Sequence, residues 1–339
     1  MTIGARRIAI AGISSNWGGE LARRLELDPR VEAIYGLDSE LPGIPLARTE
    51  LIEVDLRSPT LSRVLPSTGV DTVVHCGILS HPDAGRPARA LHDLNVIGTL
   101  QLLTACERTP GLERVIARGS AAIYGATAAG PSFFTEPMAR TLPLQTRLQR
   151  DLGELEAYFE NFAHRHPELV CCMLRFQPEL CDHDSPLTRY FSLPVVPTQL
   201  GFDPRLQLLD GGDGAAALLA ATMDPIRGAV NVAPSGSISL SRALRMLRRP
   251  SLPLPGPAFG AAVRRAAGSA GFGNSLDDAG RMLRYGRGLD NRRLRTELNF
   301  RPRFDATGAI REFDRRSAGI GLAPPPGVYE LLRAIGGVG

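Results

Sequence analysis

The sequence predicts an α/β fold in which a doubly wound parallel sheet is followed by a smaller C-terminal substrate domain. Three observations carry this prediction. Short apolar strand-like runs alternate with helical patterns through the first half of the chain, a glycine-containing turn follows the first run, and proline-rich stretches loosen the pattern after about residue 178. Strand–helix alternation of this kind is typical of parallel sheets whose two faces are covered by helices.

Six apolar runs predict the strands, at residues 7–11, 33–37, 51–54, 72–76, 115–117 and 170–174. Helices are predicted at 18–27, 88–106 and 146–162. In the last of these, the apolar residues recur at helical spacing and form one stripe: Leu148, Leu152, Leu155, Phe159 and Phe162. A further helix is predicted at 215–221, with Asp213 as its cap.

The domain boundaries follow from where this alternation stops. We assign 1–178 to a dinucleotide-binding domain, to which 204–226 returns, and assign 179–203 and 227–315 to the smaller substrate domain. Residues 316–339 form a C-terminal tail. The stretch 256–273 is rich in small residues, and we interpret it as a mobile lid or an irregular surface segment.

Composition excludes several classes of protein. The 339 residues are 43% hydrophobic and 22% charged, with a net charge of +4 and no lysine. This weak basicity does not fit a dedicated nucleic-acid-binding protein. The five cysteines form no CxxC pair, so we expect buried, reduced thiols. No apolar stretch is long enough to span a bilayer, and no signal peptide precedes the first strand, so we expect a cytoplasmic protein.

The turn after the first strand predicts a cofactor site. Gly12, Ser15 and Gly18 stand at the spacing of a Rossmann-type GxxGxxG turn, with serine at the middle position. Such a turn directs backbone N–H groups and a helix N-terminus at a pyrophosphate. Asp38 ends the second strand, where a carboxylate accepts hydrogen bonds from ribose hydroxyls and repels a 2′-phosphate, and Asp55 follows the third strand near the adenine position. We therefore predict NAD as the cofactor.

Five blocks of sequence resemble the extended short-chain dehydrogenase/reductase family of NAD-dependent epimerases and dehydratases. They occur in the family's order over about residues 5–315 and cover 73–77 (VVHCG), 95–99 (NVIGT), 114–125 (RVIARGSAAIYG), 174–175 (LR) and 290–302 (DNRRLRTELNFRP). The pattern is most similar to a divergent bacterial branch of proteins that resemble UDP-glucose 4-epimerase. The resemblance implies the fold predicted above and an ancestor that acted on nucleotide sugars.

The resemblance also locates a catalytic centre that this chain lacks. In the family, a serine and a Tyr-x-x-x-Lys pair lie beside the nicotinamide, and the tyrosine exchanges a proton with the substrate. Ser120 matches the serine, but Thr146 and Arg150 stand where the count along the helix places the tyrosine and the lysine. An aliphatic hydroxyl cannot replace a phenol as a base near neutral pH. Arg150 retains a positive charge that could hold the nicotinamide ribose.

Other residues are candidates for the missing roles. His81, in the loop after the fourth strand, is a candidate substitute base, with an ordinary surface residue as the alternative. Arg205 and Arg287 match arginines that clamp a nucleotide-sugar diphosphate, with a solvated basic face as the alternative. Arg118 brings a charge close to the nicotinamide region. The cluster at 181–184 (CDHD) has no second ligand group with metal-site spacing, so we predict no metal.

Three functions remain open at this stage. The first is an NAD-binding protein whose Ser/Tyr/Lys chemistry has been lost or rebuilt, with a nucleotide sugar as its small-molecule ligand. The second is an active oxidoreductase or epimerase with a substitute base, and the third is a non-enzymatic, NAD(H)-responsive regulatory subunit. Fold alone cannot choose between them. The predicted helices 88–106 and 146–162 resemble those of the family's dimer interface, so we expect a homodimer.

Overall fold

The computed structural model describes residues 5–79, 88–181, 185–268 and 276–317. Fifteen strands are labelled here in chain order. They are β1 (Arg6–Ala11), β2 (Val31–Asp38), β3 (Thr49–Glu53), β4 (Thr72–His75), β5 (Arg114–Ser120), β6 (Phe133–Phe134), β7 (Val170–Phe176), β8 (Glu179–Leu180), β9 (Val196–Gln199), β10 (Arg205–Leu206), β11 (Leu209–Asp210), β12 (Gly228–Val232), β13 (Ile238–Ser239), β14 (Ser251–Leu254) and β15 (Gly288–Leu289).

Seven of these strands form one parallel sheet in the order β12-β7-β5-β4-β1-β2-β3. The chain first builds outward from β1 through β2 to β3. It then crosses to the other side of β1 and adds β4, β5, β7 and β12. The doubly wound sheet predicted from the sequence is thus confirmed, and β1 and β4 flank the point at which the strand order reverses.

The α-helices are also labelled in chain order. They are α1 (Asn16–Leu25), α2 (Leu61–Ser67), α3 (Ala88–His92), α4 (Thr99–Glu107), α5 (Arg147–Arg165), α6 (Pro186–Ser192), α7 (Gly211–Met223), α8 (Leu240–Met246), α9 (Gly256–Gly268), α10 (Leu276–Tyr285), α11 (Arg292–Thr296) and α12 (Ala306–Ser317). A π-helical turn, Asp93–Gly98, joins α3 to α4, so the helix predicted at 88–106 is continuous but not regular.

Each face of the sheet has its own apolar core. On one face, side chains of β1 and β5 pack with helices α2, α4 and α5. On the other, β1, β7 and β12 pack against α1 and α7. A third core joins α6, α8, α10 and α12 in the C-terminal half, beside the carboxyl edge of the sheet. Two helices of this group, α6 and α10, contribute side chains to the candidate site described below.

The structure corrects three details of the sequence analysis. Residues 228–232, which we assigned to the smaller domain, form the edge strand β12. Their backbone pairs with β7, and their apolar side chains pack against α7. Residues 256–268 form the regular helix α9 rather than an irregular segment. Asp213 does not cap α7: Asp210 does, and the Asp213 carboxylate accepts hydrogen bonds from the backbone N–H groups of Arg303 and Phe304.

Two further expectations concern cysteines and membranes. All five cysteines lie in the described ranges, where they are buried and none forms a disulfide. Among the helices that the structure describes, none combines the length and the apolar character needed to cross a membrane. Residues 269–273 of the small-residue stretch and 318–339 of the C-terminal tail lie outside the described residues.

Candidate functional site

A cleft of about 430 Å³ runs along the carboxyl edge of the central sheet. Its floor is formed by the turn after β1 and the ends of β2, β4, β5 and β7, so it lies on both sides of the point where the strand order reverses. Ligands of doubly wound sheets bind in this crevice. The position of the cleft therefore follows from the order of the strands.

The turn between β1 and α1 depends on two glycines. Gly12 has a φ of +87°, and a Cβ atom there would collide with the backbone of Gly77 after β4. A Cβ atom on Gly18 would collide with the carbonyl of Gly12. Glycine adopts positive φ without the steric cost that a side chain brings. The two residues hold the turn closely against the sheet, which leaves the N-terminus of α1 facing the cleft.

Ser15, at the middle position of the motif, is committed to the turn itself. Its hydroxyl donates to the carbonyl of Gly12 at 2.6 Å and accepts from the backbone N–H of Gly18 at 3.0 Å. The serine is the N-cap of α1. The hydroxyl thus stabilises the helix start, as N-cap serines generally do, and its proton points inward rather than toward the cleft.

Asp38 lies at the end of β2 and lines the cleft. Its carboxylate accepts hydrogen bonds from the hydroxyl and the backbone N–H of Ser14, at 2.6 and 3.1 Å, and from the N–H of Ser39 at 2.8 Å. Asp55 lines the same end, and its hydrogen bonds with the Arg57 guanidinium lower the pKa of the carboxyl. Both carboxylates predicted to hold an adenosine therefore lie at one end of the cleft.

Arg118, on β5, lines the other end of the cleft. Its guanidinium carbon lies 4.3 Å from the ring centroid of Trp17 and 5.1 Å from that of Phe176. Only 7% of Arg118 is exposed. A cation over two aromatic faces is stabilised by the ring electrons, most strongly over tryptophan.

Glu179 forms an ion pair with this arginine. A carboxylate oxygen of Glu179 lies 3.1 Å from Nη2 of Arg118, and each side chain is 9% exposed. Burial raises the pKa of Glu179 to about 7, although the nearby guanidinium acts in the opposite direction. Arg118, Trp17, Phe176 and Glu179 all line the cleft. We call these four residues the arginine cluster.

Ser120, at the end of β5, also lines the cleft. Its hydroxyl accepts a hydrogen bond from the N–H of Ala122 at 3.2 Å and caps a short 3₁₀ turn. Helix α5 contributes Leu148 to the same cleft. In the cleft that Ser120 lines, the side chain contributed by α5 is therefore aliphatic.

Thr146 and Arg150 do not line this cleft. Thr146 is the N-cap of α5, and its hydroxyl accepts from the N–H of Gln149 at 3.1 Å, while the Gln149 side chain accepts from the N–H of Thr146. Thr146 lines a separate cavity of about 320 Å³ beside α9 and α10. Arg150 is exposed and its guanidinium donates to the carbonyl of Gln145.

The sequence comparison predicted that Thr146 and Arg150 face the cleft, but on α5 this side of the helix carries Leu148 and Leu152, two positions farther along. Two residues correspond to about 200° around an α-helix. Leu148 lines the cleft, Leu152 is fully buried behind it, and Glu156 binds the Arg175 guanidinium at 2.7 and 3.0 Å. Leu148 and Leu152 have the same spacing of four as Thr146 and Arg150, which is why the count along the sequence could not separate the two registers.

The two predicted diphosphate clamps are placed differently. Arg287 lines the cleft, but it is buried and its guanidinium is paired with the Asp278 carboxylate at 3.1 and 3.2 Å. Asp278 also accepts from the side chain of Gln149. Arg205 is exposed on β10 and is not part of the cleft lining.

The histidines contribute no base to the described cleft. His75 is buried at the end of β4, where its Nε2 is 2.9 Å from the hydroxyl of Thr99, and burial lowers its pKa to about 4. This is a structural position. His81, the candidate substitute base, lies outside the described residues.

Sequence reasoning noticed Arg118 but missed its three partners. Trp17 is the only tryptophan of the chain and stands inside the glycine turn, a signal that could have been used. Phe176 and Glu179 follow the Leu174-Arg175 block and carry no pattern of their own. They meet Arg118 because β7 lies beside β5 in the sheet.

Comparisons with known proteins agree with this architecture. Residues 8–149 match the model of the NAD dependent epimerase/dehydratase family. An uncharacterized protein of Mycobacterium tuberculosis is 31% identical over 323 residues, which cover 94% of this chain and 85% of that protein. These matches are with sequences, and they include the glycine turn and β5.

Two solved structures share the fold. The dTDP-glucose 4,6-dehydratase of Bacillus anthracis, crystallised with NAD, has a TM-score of 0.69 at 12% identity and covers 93% of this chain and 97% of its own. The enzyme WbmG of Bordetella bronchiseptica, crystallised with NAD and UDP, has a TM-score of 0.70 at 18% identity and covers 95% and 96%.

The sheet, the glycine turn and the carboxylate after β2 define a dinucleotide-binding α/β protein. Within that class, this chain belongs to the NAD-dependent epimerase/dehydratase family, as its sequence motifs predicted. NAD is the cofactor of the family, in agreement with the cofactor prediction.

Proposed function

We propose that the protein binds NAD through its adenosine diphosphate half and does not carry out tyrosine-dependent proton transfer. The observation that carries this proposal is the position of Leu148, which α5 contributes to the cleft that Ser120 also lines. A leucine side chain has no proton to exchange. The family scaffold is thus kept as a ligand-binding site while its usual base is missing.

The adenosine end of the cleft fits the cofactor. The closely packed turn at Gly12 and Gly18 and the N-terminus of α1 suit a pyrophosphate. Asp38 and Asp55 are placed at the end of the cleft where ribose hydroxyls and an adenine amine would be held. When bound in an oxidoreductase, NAD accepts or supplies a hydride. In this chain, these residues account for binding and orientation.

Titration calorimetry with purified protein tests the binding half of the proposal. We expect NAD⁺ or NADH to bind with a stoichiometry of one per chain. Asp38→Ala should weaken binding at least tenfold because the carboxylate that accepts from the ribose is removed. Glu50→Ala is the matched control, since Glu50 is exposed on β3 and lies outside the cleft, and it should leave the affinity unchanged.

Turnover assays test the catalytic half. We expect epimerisation of UDP-glucose and substrate-dependent reduction of NAD⁺ to stay at background. Robust turnover that is lost in Ser120→Ala would contradict the missing chemistry and favour an enzyme with a rebuilt base. Failure of every dinucleotide to bind would contradict the binding half.

We further propose a nucleotide sugar as the second small-molecule ligand. Support comes from WbmG, which was crystallised with UDP, and from Arg287, a cationic side chain that lines the cleft. Calorimetry with UDP-glucose in the presence of NADH tests this, with Arg287→Met and Arg205→Met compared. Binding that is weakened by the first variant alone would support Arg287 as the phosphate contact. Unchanged UDP-glucose affinity in both variants would show that neither Arg287 nor Arg205 contacts the diphosphate.

For assembly and location, we propose a cytoplasmic homodimer formed by α4 and α5. These helices pack together on one face of the sheet. Leu100 on α4 and Ile97 in the π-helical turn before it are 39% and 38% exposed. Sedimentation velocity should show a dimer that dissociates when Leu100 is changed to Arg. A monomeric wild type would contradict the proposal.

A further inference from the structure

The cleft has two ends that lie on opposite sides of the turn after β1. Asp38 and Asp55 are at the end formed by β2 and β3, and Gly77, Ser120 and Phe176 are at the end formed by β4, β5 and β7. In a doubly wound sheet, a dinucleotide crosses the switch point with its pyrophosphate at the helix N-terminus. With adenosine at the first end, the second nucleoside must extend over β4, β5 and β7.

The arginine cluster lies at this second end. Arg118 is two residues before Ser120 on β5, so the two side chains emerge from the same face of the strand. The Trp17 and Phe176 rings, whose centroids are 5.6 Å apart, are the aromatic surfaces available for stacking there. The Arg118 guanidinium lies over both of them. A planar base that entered this end would compete with the arginine for the same two ring surfaces.

Glu179 keeps the arginine in place. The side chain of Glu179 is only 9% exposed, and Arg118 is its ion-pair partner at 3.1 Å. Removing Arg118 from the pair would leave a buried carboxylate without its counter-ion, which is strongly unfavourable. An incoming base would therefore have to break this ion pair in order to displace Arg118.

Within the ion pair, the guanidinium and not the carboxylate lies over the two rings, so its charge adds to this steric competition. The nicotinamide ring of NAD⁺ is itself a cation, and two like charges at contact distance in a site of low dielectric repel each other. The reduced ring of NADH is neutral, and ADP-ribose has no second base at all. The second end is therefore poorly suited to the oxidised cofactor in particular.

We propose that the cleft is an ADP-ribose-type site, which takes adenosine-diphosphate ligands whose second half is not a cationic ring, because Arg118 occupies the stacking surface of Trp17 and Phe176. This inference rests on the proposed binding function and specifies the ligand class of the same site. Arg118 acts as the specificity-determining residue. The ligand is selected by its adenosine diphosphate half, and the nicotinamide contributes no affinity.

The test compares NAD⁺, NADH and ADP-ribose on the intact protein by calorimetry. Fluorescence of Trp17, the single tryptophan, provides a second readout because it lies in the cleft. We expect the dissociation constant of ADP-ribose to be lower than that of NAD⁺ or at most threefold higher. A preference for NAD⁺ of more than threefold over ADP-ribose would overturn the inference and leave the proposed binding function standing. If neither ligand binds, the proposed function fails and the inference fails with it.

Variants test whether Arg118, rather than the overall shape of the cleft, sets the relative affinity for NAD⁺ and ADP-ribose. Arg118→Ser combined with Glu179→Gln removes both charges, so no unpaired carboxylate remains to unfold the protein. In this double variant, the ratio of NAD⁺ affinity to ADP-ribose affinity should rise at least tenfold. Arg108→Ser, an exposed arginine outside the cleft, is the control and should leave the ratio unchanged. An unchanged ratio in a double variant that retains its thermal unfolding transition would also overturn the inference.

Discussion

Arg118 on β5 and Glu179 on β8 form a buried ion pair of 3.1 Å at the end of the cleft where a second nucleoside would lie. The pair is held from both sides, by the rings of Trp17 and Phe176 on the arginine and by burial of the carboxylate. A buried ion pair is often no more stabilising than a well-packed apolar pair. Its position in the cleft points to a role in ligand selection rather than in stability.

The first prediction concerns the pH dependence of stability that Glu179 introduces. Its pKa of about 7 in the folded protein exceeds its ordinary value of 4.5. Between these two values the folded state binds more protons than the unfolded state, so the free energy of unfolding falls as the pH rises from 4.5 to 7. Relative to Glu179→Gln, which cannot titrate, the wild type should lose up to about 3 kcal/mol between pH 5 and pH 8.

Urea unfolding of both proteins at several pH values measures this difference. Other carboxylates titrate equally in the two proteins and cancel. Glu297→Gln is the control, since the hydrogen bonds from Arg293 lower the pKa of the Glu297 carboxyl, and it should show no such trend between pH 5 and pH 8. A difference between wild type and Glu179→Gln that stays constant with pH would show that the Glu179 carboxyl titrates at its ordinary pKa.

A second prediction tests which residues of α5 face the ligand. Leu148 lines the cleft, whereas Arg150 is exposed outside it. A thiol introduced by Leu148→Cys should therefore react with a maleimide more slowly when NADH or ADP-ribose is bound, by at least fivefold. The Arg150→Cys thiol should react at the same rate with and without ligand. The native cysteines are buried and give little background.

The opposite outcome would be equally informative. Ligand protection of the thiol in the Arg150→Cys variant, without protection in the Leu148→Cys variant, would restore the register that the sequence comparison gave, with Arg150 at the cofactor. Protection of the thiol in both variants would place the ligand across the start of the helix.

The third prediction is that Asp38 selects NAD over its 2′-phosphorylated form. A carboxylate at the end of β2 repels a phosphate on the adenosine ribose. Asp38→Asn removes the charge but keeps an oxygen to accept from Ser14. The affinity for NADPH relative to NADH should rise at least tenfold in this variant when measured by calorimetry. An unchanged ratio would mean that the carboxylate does not face the ribose.

The fold was predictable from the sequence because its main signals are local. Apolar runs alternate with helices in the order that a doubly wound sheet requires, and Gly12 and Gly18 mark the turn through backbone constraints that only glycine meets. The edge strand β12 was missed because it follows the proline-rich part of the chain. Its pairing with β7 is a contact distant in sequence that no local pattern reveals.

Among the predicted site residues, those at strand ends line the cleft in the structure. Asp38 and Ser120 were found because each stands at a strand end in a motif. On α5, the structure places Leu148 in the cleft rather than Thr146 or Arg150. The sequence could not reveal this, because neither Thr146 and Arg150 nor Leu148 and Leu152 keep the family's tyrosine and lysine. The pairing of Glu156 on α5 with Arg175 on β7 became visible only in three dimensions.

The fourth prediction follows from that pairing. Glu156 and Arg175 are buried, and burial raises the pKa of the Glu156 carboxyl while the guanidinium opposes the shift. Arg175 also donates to the hydroxyl of Tyr124 and the carbonyl of Glu136. Glu156→Gln leaves the arginine charge without its counter-ion, so we expect a loss of about 3 kcal/mol in the free energy of unfolding. Urea denaturation should show a much smaller loss for Glu20→Gln, which breaks a pair on the surface of α1.

The last prediction separates a structural role from a catalytic one at Thr146. The hydroxyl caps α5 by accepting from the N–H of Gln149, and it lies outside the cleft. Thr146→Ala should therefore cost about 1 kcal/mol of unfolding free energy, the usual effect of losing a helix cap. Thr146→Ser keeps a hydroxyl and should restore most of that stability. Because the residue does not reach the ligand, NADH and ADP-ribose should bind both variants with wild-type affinity. A folded Thr146→Ala protein that bound NADH tenfold more weakly, with binding restored in Thr146→Ser, would return Thr146 to the cofactor site.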